Sequence, residues 1–443
     1  MAKSIVTFQL NPTSLITQNQ SSAGVKQLSY DEIKESELAG CGGSGIFLNG
    51  SLSDRRFETL ISVVESNCAL KKIRISECVL VGDTRDRFLD LINALIEHRE
   101  LRLESLDLSS TGITKNEVGE IVRLIEAKSS IEEINLSGNN LEDEGILELS
   151  ELIKTKKTIQ KLNISNTNFG LEGIIALSSI LEDRDSPITV LNLERSDISG
   201  DQVVERLSEA ISKNNSLQAL NITSTVLSIG FSNEILDAII RNSSIKKLNF
   251  LGNIFEGESI NSLLNIIQNK DIESLTLSGP YLNDDFASIL SKIIAESLSL
   301  KELHLKDTIL SDIGAIELGT ALESNDSLEK LLIIGSNIAD EGARFITESV
   351  RKNNALKKFD LLECNISQST ANELQIAFIE EDQSFRMVNI TSADQEECEI
   401  PYSPNVGGVG YAFTDAFDDI LDEDLENNDS IILGDILSDN DSQ

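Results

Sequence analysis

The stretch Ile131-Glu-Glu-Ile134-Asn-Leu136-Ser-Gly-Asn139-Asn-Leu141 decides how the rest of the chain is read. Ile134 and Leu136 flank one polar residue, and this period of two puts both on one face of a short strand. Asn139 and Leu141 follow at fixed offsets. The same sentence recurs in both directions. Full copies open at Leu70, Leu103, Ile131, Ile159, Ile188, Leu217, Ile245, Ile272, Leu300, Leu328 and Leu356, with a weaker one at Phe385. Openings are 27 to 29 residues apart, except that Leu70 and Leu103 are 33 apart. A repeat of that length marks a chain that stacks one supersecondary unit many times.

The second half of each copy has helical period. After Leu141, Asp143 is placed to cap a helix whose apolar stripe is Ile146, Leu149, Leu152 and Ile153. Asp312-Ile-Gly-Ala and Asp340-Glu-Gly-Ala repeat that start, and Asn325 and Asn354 sit where helices should stop. A helix is wider than a strand, so strand-plus-helix units bend as they stack. The expected fold is α/β: a leucine-rich-repeat solenoid, or horseshoe, with parallel strands on the concave face and helices on the convex face. Residues 1–69 read as an N-terminal segment and cap, with a degenerate unit over Gly42 to Leu52. Residues 70–393 read as the repeat domain, and 394–443 as an acidic, flexible tail. Within the tail, Phe413, Phe417, Ile420 and Leu421 are at helical spacing, followed by Ile431-Ile-Leu.

Composition agrees with a stripe-like core: 40% apolar residues, 4% aromatic and no Trp. The net charge is −37, from 37 Lys+Arg and 74 Asp+Glu. Such an excess repels nucleic-acid backbones and anionic membranes, and it favours a soluble, monomeric chain that meets basic protein surfaces. From Met387 onward there are 15 acidic residues and no Lys or Arg. Five cysteines lie far apart without a Cys-x-x-Cys pair, which points to reduced thiols and a cytoplasmic site of action. No run is long enough to span a bilayer.

The register also assigns a face to the variable residues. The position between the paired leucines runs Arg74, Asp107, Asn135, Asn163, Asn192, Asn221, Asn249, Thr276, His304, Leu332, Asp360, Asn389. Stacked about 5 Å apart, the five asparagines form either a polar groove that grips a partner's backbone or a structural ladder. Further along, Leu332, Ile334 and Leu362 should point away from the core, as an exposed apolar anchor for a partner or as a patch that the tail covers. Lys72, Lys161, Lys247, Lys330 and Lys358, with Glu133 and Glu302, form a charged row beside the column. Of the two histidines, His304 lies near Glu302, Asp307 and Asp360, matches no nucleophile and reads as a solvated surface residue. No phosphate loop, zinc spacing or metalloprotease motif occurs, so neither cofactor nor metal is expected.

The unit length and the Asp-x-Gly-Ala helix start resemble the ribonuclease-inhibitor type of leucine-rich repeat over roughly residues 42–393. That type serves inhibitors, immune receptors, GTPase activators and bacterial effectors. The register points to a non-enzymatic scaffold that takes a protein partner on the concave face through Asn135, Asn163, Asn192, Asn221, Asn249, His304, Leu332, Ile334, Asp360 and Leu362. The 33-residue first copy holds Val81-Gly-Asp-Thr-Arg-Asp-Arg, expected as an inserted loop carrying Arg85 and Arg87. With the repeats and the acidic end, this layout resembles the Ran GTPase-activating proteins. It implies a small-GTPase partner, with Arg85 or Arg87 stimulating GTP hydrolysis. The array between dissimilar termini is also similar to leucine-rich-repeat effectors of intracellular bacteria, which implies action in a host cytosol.

Overall fold

Each repeat folds as a short strand that turns over its Leu-x-Leu pair and returns through a helix. The computed structural model describes residues 45–49, 54–66, 69–80, 82–198, 200–225, 233–381, 387–392 and 430–433. The chain divides into two units, Met1–Asn192 with Thr414–Gln443, and Leu193–Phe413. Each unit is an open leucine-rich-repeat stack of parallel strands alternating with helices.

In the first unit the strands are β1 (Gly45–Asn49), β2 (Lys72–Ser76), β3 (Ser105–Asp107), β4 (Glu133–Asn135), β5 (Lys161–Asn163) and β6 (Val190–Asn192). The helices between them are α1 (Asp54–Ser66), α2 (Asp83–Glu97), α3 (Lys115–Ala127), α4 (Glu142–Lys156) and α5 (Leu171–Leu181). A further strand, β14 (Ser430–Leu433), lies parallel to β1 on its outer side, so the order is β14-β1-β2-β3-β4-β5-β6. The degenerate copy before Leu70 is thus a strand and a helix in register with β2, Gly45 opposite Lys72.

The second unit holds α6 (Asp201–Lys213), β7 (Ala219–Asn221), α7 (Asn233–Arg241), β8 (Lys247–Asn249), α8 (Glu258–Asn269) and β9 (Ser274–Ser278). It continues with α9 (Asp284–Glu296), β10 (Glu302–Lys306), α10 (Asp312–Leu322), β11 (Lys330–Ile334), α11 (Asp340–Lys352), β12 (Lys358–Cys364), α12 (Gln368–Glu381) and β13 (Met387–Ser392). Its strands are parallel neighbours in chain order.

The repeated leucines are the core of both units. Ile134, Leu136 and Leu141 are buried, as are Leu303, Leu305 and Leu310 at the matching positions far down the chain. Burying such a side chain contributes about 2 kcal/mol, and each repeat supplies several, so stacking is driven by the register itself. Backbone groups at the turns are satisfied by buried asparagines. Asn139 accepts from the Thr111 and Ile113 amides and donates to the Leu108 and Leu136 carbonyls, which joins two repeats. At helix ends the residue that does this is Asn353, not the expected Asn354. Its Nδ2 donates to Leu322 and Asn325 carbonyls one repeat back, while Asn354 is exposed.

The Asp-x-Gly starts link repeats in a way the spacing did not indicate. Asp143 does not cap its own helix. Its Oδ1 accepts from the Gly170 and Gly173 amides at the start of the next one. Asp284 binds the Ser311 and Gly314 amides likewise. A carboxylate there satisfies orphan amides and meets the positive end of the helix. The glycine is needed for space: a Cβ on Gly314 would lie 2.6 Å from Asp284 Oδ1, and one on Gly342 2.5 Å from Asp312 Oδ1.

Candidate interaction face

The open face of each sheet, opposite its helices, carries the variable column. In the first unit this face is largely internally paired. Arg74 Nε reaches Asp107 Oδ2 at 2.8 Å, and Lys161 Nζ reaches Glu133 Oε1 at 2.5 Å. Asn135 is half-buried, and Asn163 and Asn192 are buried.

The asparagines are built into the strand ends. Asn135 Oδ1 accepts from the Ser137 amide at 3.0 Å, Asn163 from Ser165 at 3.1 Å, Asn221 from Thr223 at 3.0 Å and Asn249 from Leu251 at 3.0 Å. Asp107 does the same for Ser109 at 2.9 Å. Each side chain takes up the amide two residues ahead, the Asx turn that Asn and Asp form readily. The carbonyl half of each amide is therefore committed to its own strand end. In the second unit Asn221 is buried opposite Asn249, and Asn249 lies opposite Thr276.

Beyond Asn249 the face changes. His304 lies between Thr276 and Leu332 in register, and Leu332 between His304 and Asp360. His304 is 1% exposed, not solvated as the sequence suggested. Its Nδ1 is 3.5 Å from Thr276 Oγ1. Burial, reinforced by the Lys330 and Lys358 charges, pushes its pKa down to about 3, so the ring is neutral. Leu332 and Ile334, expected as an exposed anchor, are each 5% exposed. Register explains this: strands about 4.8 Å away on both sides wall Leu332 between His304 and Asp360, and Ile334 between Lys306 and Leu362. Leu362 is half-buried. Asp360 is buried and engaged: Asn389 Nδ2 donates to it at 2.7 Å, and Lys358 Nζ lies 3.5 Å away. Lys247, Glu302, Lys330 and Lys358 are half-buried, and Asn389 is exposed.

The two arginines differ from expectation. Arg85 and Arg87 lie in the first turns of α2, not on a loop, because Asp83 opens the helix directly. Seven residues, 98–104, separate α2 from β3, where four separate α4 from β5. Arg85 Nη1 binds Glu117 Oε1 at 2.5 Å, and its Nη2 donates to the Leu80 and Gly112 carbonyls at 3.3 Å. Glu117 also closes the capping box of α3 with Thr114. Arg87 pairs with Asp90 and Glu58.

Three features escaped the sequence reading. Lys306 is buried on the open face beside Ile334, one column from the row that was singled out. Leu147 and Ile175 are exposed on α4 and α5, where they line a 620 Å³ groove with Glu151 and Lys154; their place outside the helical stripe was the available signal. Finally, Ser430–Leu433 pairs with β1. Among the described residues no group of three or more His, Cys, Asp or Glu is placed to hold a metal. Cys364 is buried beside Ser336 Oγ, 3.0 Å away, and burial raises its pKa to about 11, which removes thiolate chemistry at neutral pH. The Phe413, Phe417, Ile420 and Leu421 stripe lies outside the described residues.

A family model described as Leucine Rich repeat matches residues 127–150 and 155–178. No curated protein matches the chain. Among solved structures, an internalin from Listeria monocytogenes is 13% identical, over 81% of this chain and 88% of its own, with a TM-score of 0.39. The tropomodulin C-terminal domain of Caenorhabditis elegans is 21% identical, over 42% and 92%, with a TM-score of 0.27. Actin-Binding Site 2 of leiomodin-1 is 12% identical, over 46% and 87%, with a TM-score of 0.19. The register of buried leucines, the strand–helix units and the matched family model together identify the chain as one built of leucine-rich repeats.

Proposed function

We propose that the chain is a non-enzymatic scaffold that binds a partner protein on the open sheet face of its second unit. One observation carries this reading: Lys247, Lys330 and Lys358 share one row of that face and are half-buried, on a chain whose net charge is −37. Glu302 interrupts the row, and Leu362 and Asn389 border it. Such a surface suits a partner with an acidic segment and a small apolar contact, and its charges set orientation and association rate more than affinity. Asn221 and Asn249 are each 2% exposed and have their carbonyl oxygens committed, so the contact would rest on the charged row and its borders rather than on the asparagines.

The arginines lend the GTPase-activating alternative no support, since Arg85 is held by Glu117 and two carbonyls within its own fold. No described helix is long and apolar enough to cross a membrane. The test compares affinity capture by the chain and by its Lys330→Glu/Lys358→Glu variant at low and high salt. Partners retained by the chain at low salt should be lost by the variant, with far-UV circular dichroism unchanged. The same proteins captured by both would sink the reading.

A further inference from the structure

Strand β1 is the last strand of the repeat register, and the strand outside it comes from the other end of the sequence. Gly45 pairs with Ser430, Ile46 with Ile431, Phe47 with Ile432 and Leu48 with Leu433, in parallel. In sequence the segment is Ser430-Ile-Ile-Leu433, a β-branched run in a stretch otherwise dominated by Asp, Glu, Asn and Gly. It belongs to no repeat, because it lacks the leucine spacing.

An open solenoid sheet has two edges, and each exposes a row of unpaired N–H and C=O groups. Such an edge is a template for self-association unless it is covered, and end units usually carry a cap. Nothing between Gly45 and Asn49 blunts the β1 edge in the usual ways: the segment, Gly-Ile-Phe-Leu-Asn, has no charge and no proline. Backbone polarity along the sheet shows which groups would be left open. The first residue of each strand gives its amide to the preceding strand, as Ser105 does to Lys71 O, Glu133 to Glu104 O and Lys161 to Glu132 O. Ser105 is in register with Lys72, and Lys72 with Gly45. Alternate residues of a parallel strand face alternate neighbours, so the amides of Phe47 and Asn49 face β14.

We propose that the edge of β1 is a strand-acceptor site and that this chain's own Ser430–Leu433 fills it in cis, making the C-terminal segment the cap of the N-terminal end. The recognition is β-augmentation: backbone hydrogen bonds hold the segment, and its apolar sequence selects it from the acidic residues around it. Two consequences follow. The sheet end is closed by a detachable peptide, and a second copy's edge competes for that peptide whenever it leaves.

Amide hydrogen exchange on the 443-residue chain tests this, alongside a variant lacking residues 430–443 and an Ile431→Pro variant. Register makes the Ile431 amide a donor to β1, and proline abolishes that donor. Protection at Phe47 and Asn49 should fall at least tenfold in both variants, with β4 and β5 amides unchanged as the sign that the stack is intact. Light scattering should show concentration-dependent self-association of the truncated variant, and a synthetic peptide of residues 427–437 should restore protection and the monomer. Exchange at Phe47 and Asn49 that is equal in all three proteins would overturn the proposal. So would protection in the unaltered chain that vanishes on dilution together with a fall from dimer mass, because the segment would then be exchanged between copies. These readouts concern the β1 edge alone, so their failure leaves the reading of the second unit's face standing.

Discussion

Strands β3 to β8 have three residues each, whereas β9, β10 and β11 have five. The difference tracks one column. The short strands end on Asp107, Asn135, Asn163, Asn192, Asn221 and Asn249; in the longer ones the same position is Thr276, His304 and Leu332. For five of the six short strands the Asx oxygen accepts the amide two residues on. In a longer strand that amide belongs to the fifth residue. A residue on the outward face thus decides where the strand stops, by intercepting one backbone donor. Asp360 tests the rule: its carboxylate faces Asn389 and Lys358 instead, and β12 runs for seven residues. The lesson is that the Asn column is mainly local architecture, and that the face differs in kind where the column loses its asparagines.

The largest expected effect separates a walled-in column from an exposed one. Leu332→Ala should cost about 3 kcal/mol, the range for truncating a buried leucine, read as a lower urea midpoint for the second unit. A loss under about 0.5 kcal/mol, the range for a surface site, would show that Leu332 is exposed and would restore it as a candidate anchor.

His304 gives the next effect, through pH. Its folded pKa, about 3, lies below the ordinary 6.5, so between these values the unfolded chain binds a proton that the folded chain refuses. Stability from this group is therefore complete above pH 6.5 and is lost as pH falls toward 3. Between pH 7 and 4.5 the loss should be about 2 kcal/mol, seen as a steeper fall in urea midpoint for the chain than for His304→Asn. Parallel curves for the two proteins, or an imidazole that titrates near 6.5 by NMR, would refute the neutral buried ring.

These two residues also show what sequence could and could not tell. The repeat period exposed the core because burial recurs with it: Ile134, Leu136 and Leu141 are where the spacing put them. Alternation likewise put Leu332 and His304 on the outward face. It could not say that neighbouring strands close over them, because that depends on the side chains one repeat away. Asp143 was legible as a helix-start residue but not as a cap for the following helix, since a 27-residue separation carries no local signal. Arg85 was misplaced on a loop because Gly82 and Asp83 suit a turn and a helix start equally. Strand β14 was invisible to the period, for it belongs to no repeat.

Within the capped region, Asn221→Ala removes the acceptor for the Thr223 amide at 3.0 Å and for its hydroxyl at 2.6 Å. Both groups are buried, so the loss should be about 1.5 kcal/mol, with faster exchange at the Thr223 amide. An unchanged Thr223 amide would mean that the ladder, not Asn221, holds it.

The smallest effect is the most telling for the comparison, because it attempts to convert one region into the other. Thr276→Asn places an asparagine in the first long strand, between Asn249 and His304. Its Oδ1 would then compete for the amide of Ser278, which now ends β9 and bonds the Gly252 amide through its own hydroxyl. One bond of that amide would be exchanged for another, so the stability change should stay within about 0.5 kcal/mol. The local change should still be visible: the Ser278 amide keeps its protection, while the strand signature in its chemical shifts retreats toward Thr276. If Ser278 keeps its strand shifts with Asn at 276, the column follows strand length rather than setting it, and the cause must lie in the turns that follow each strand.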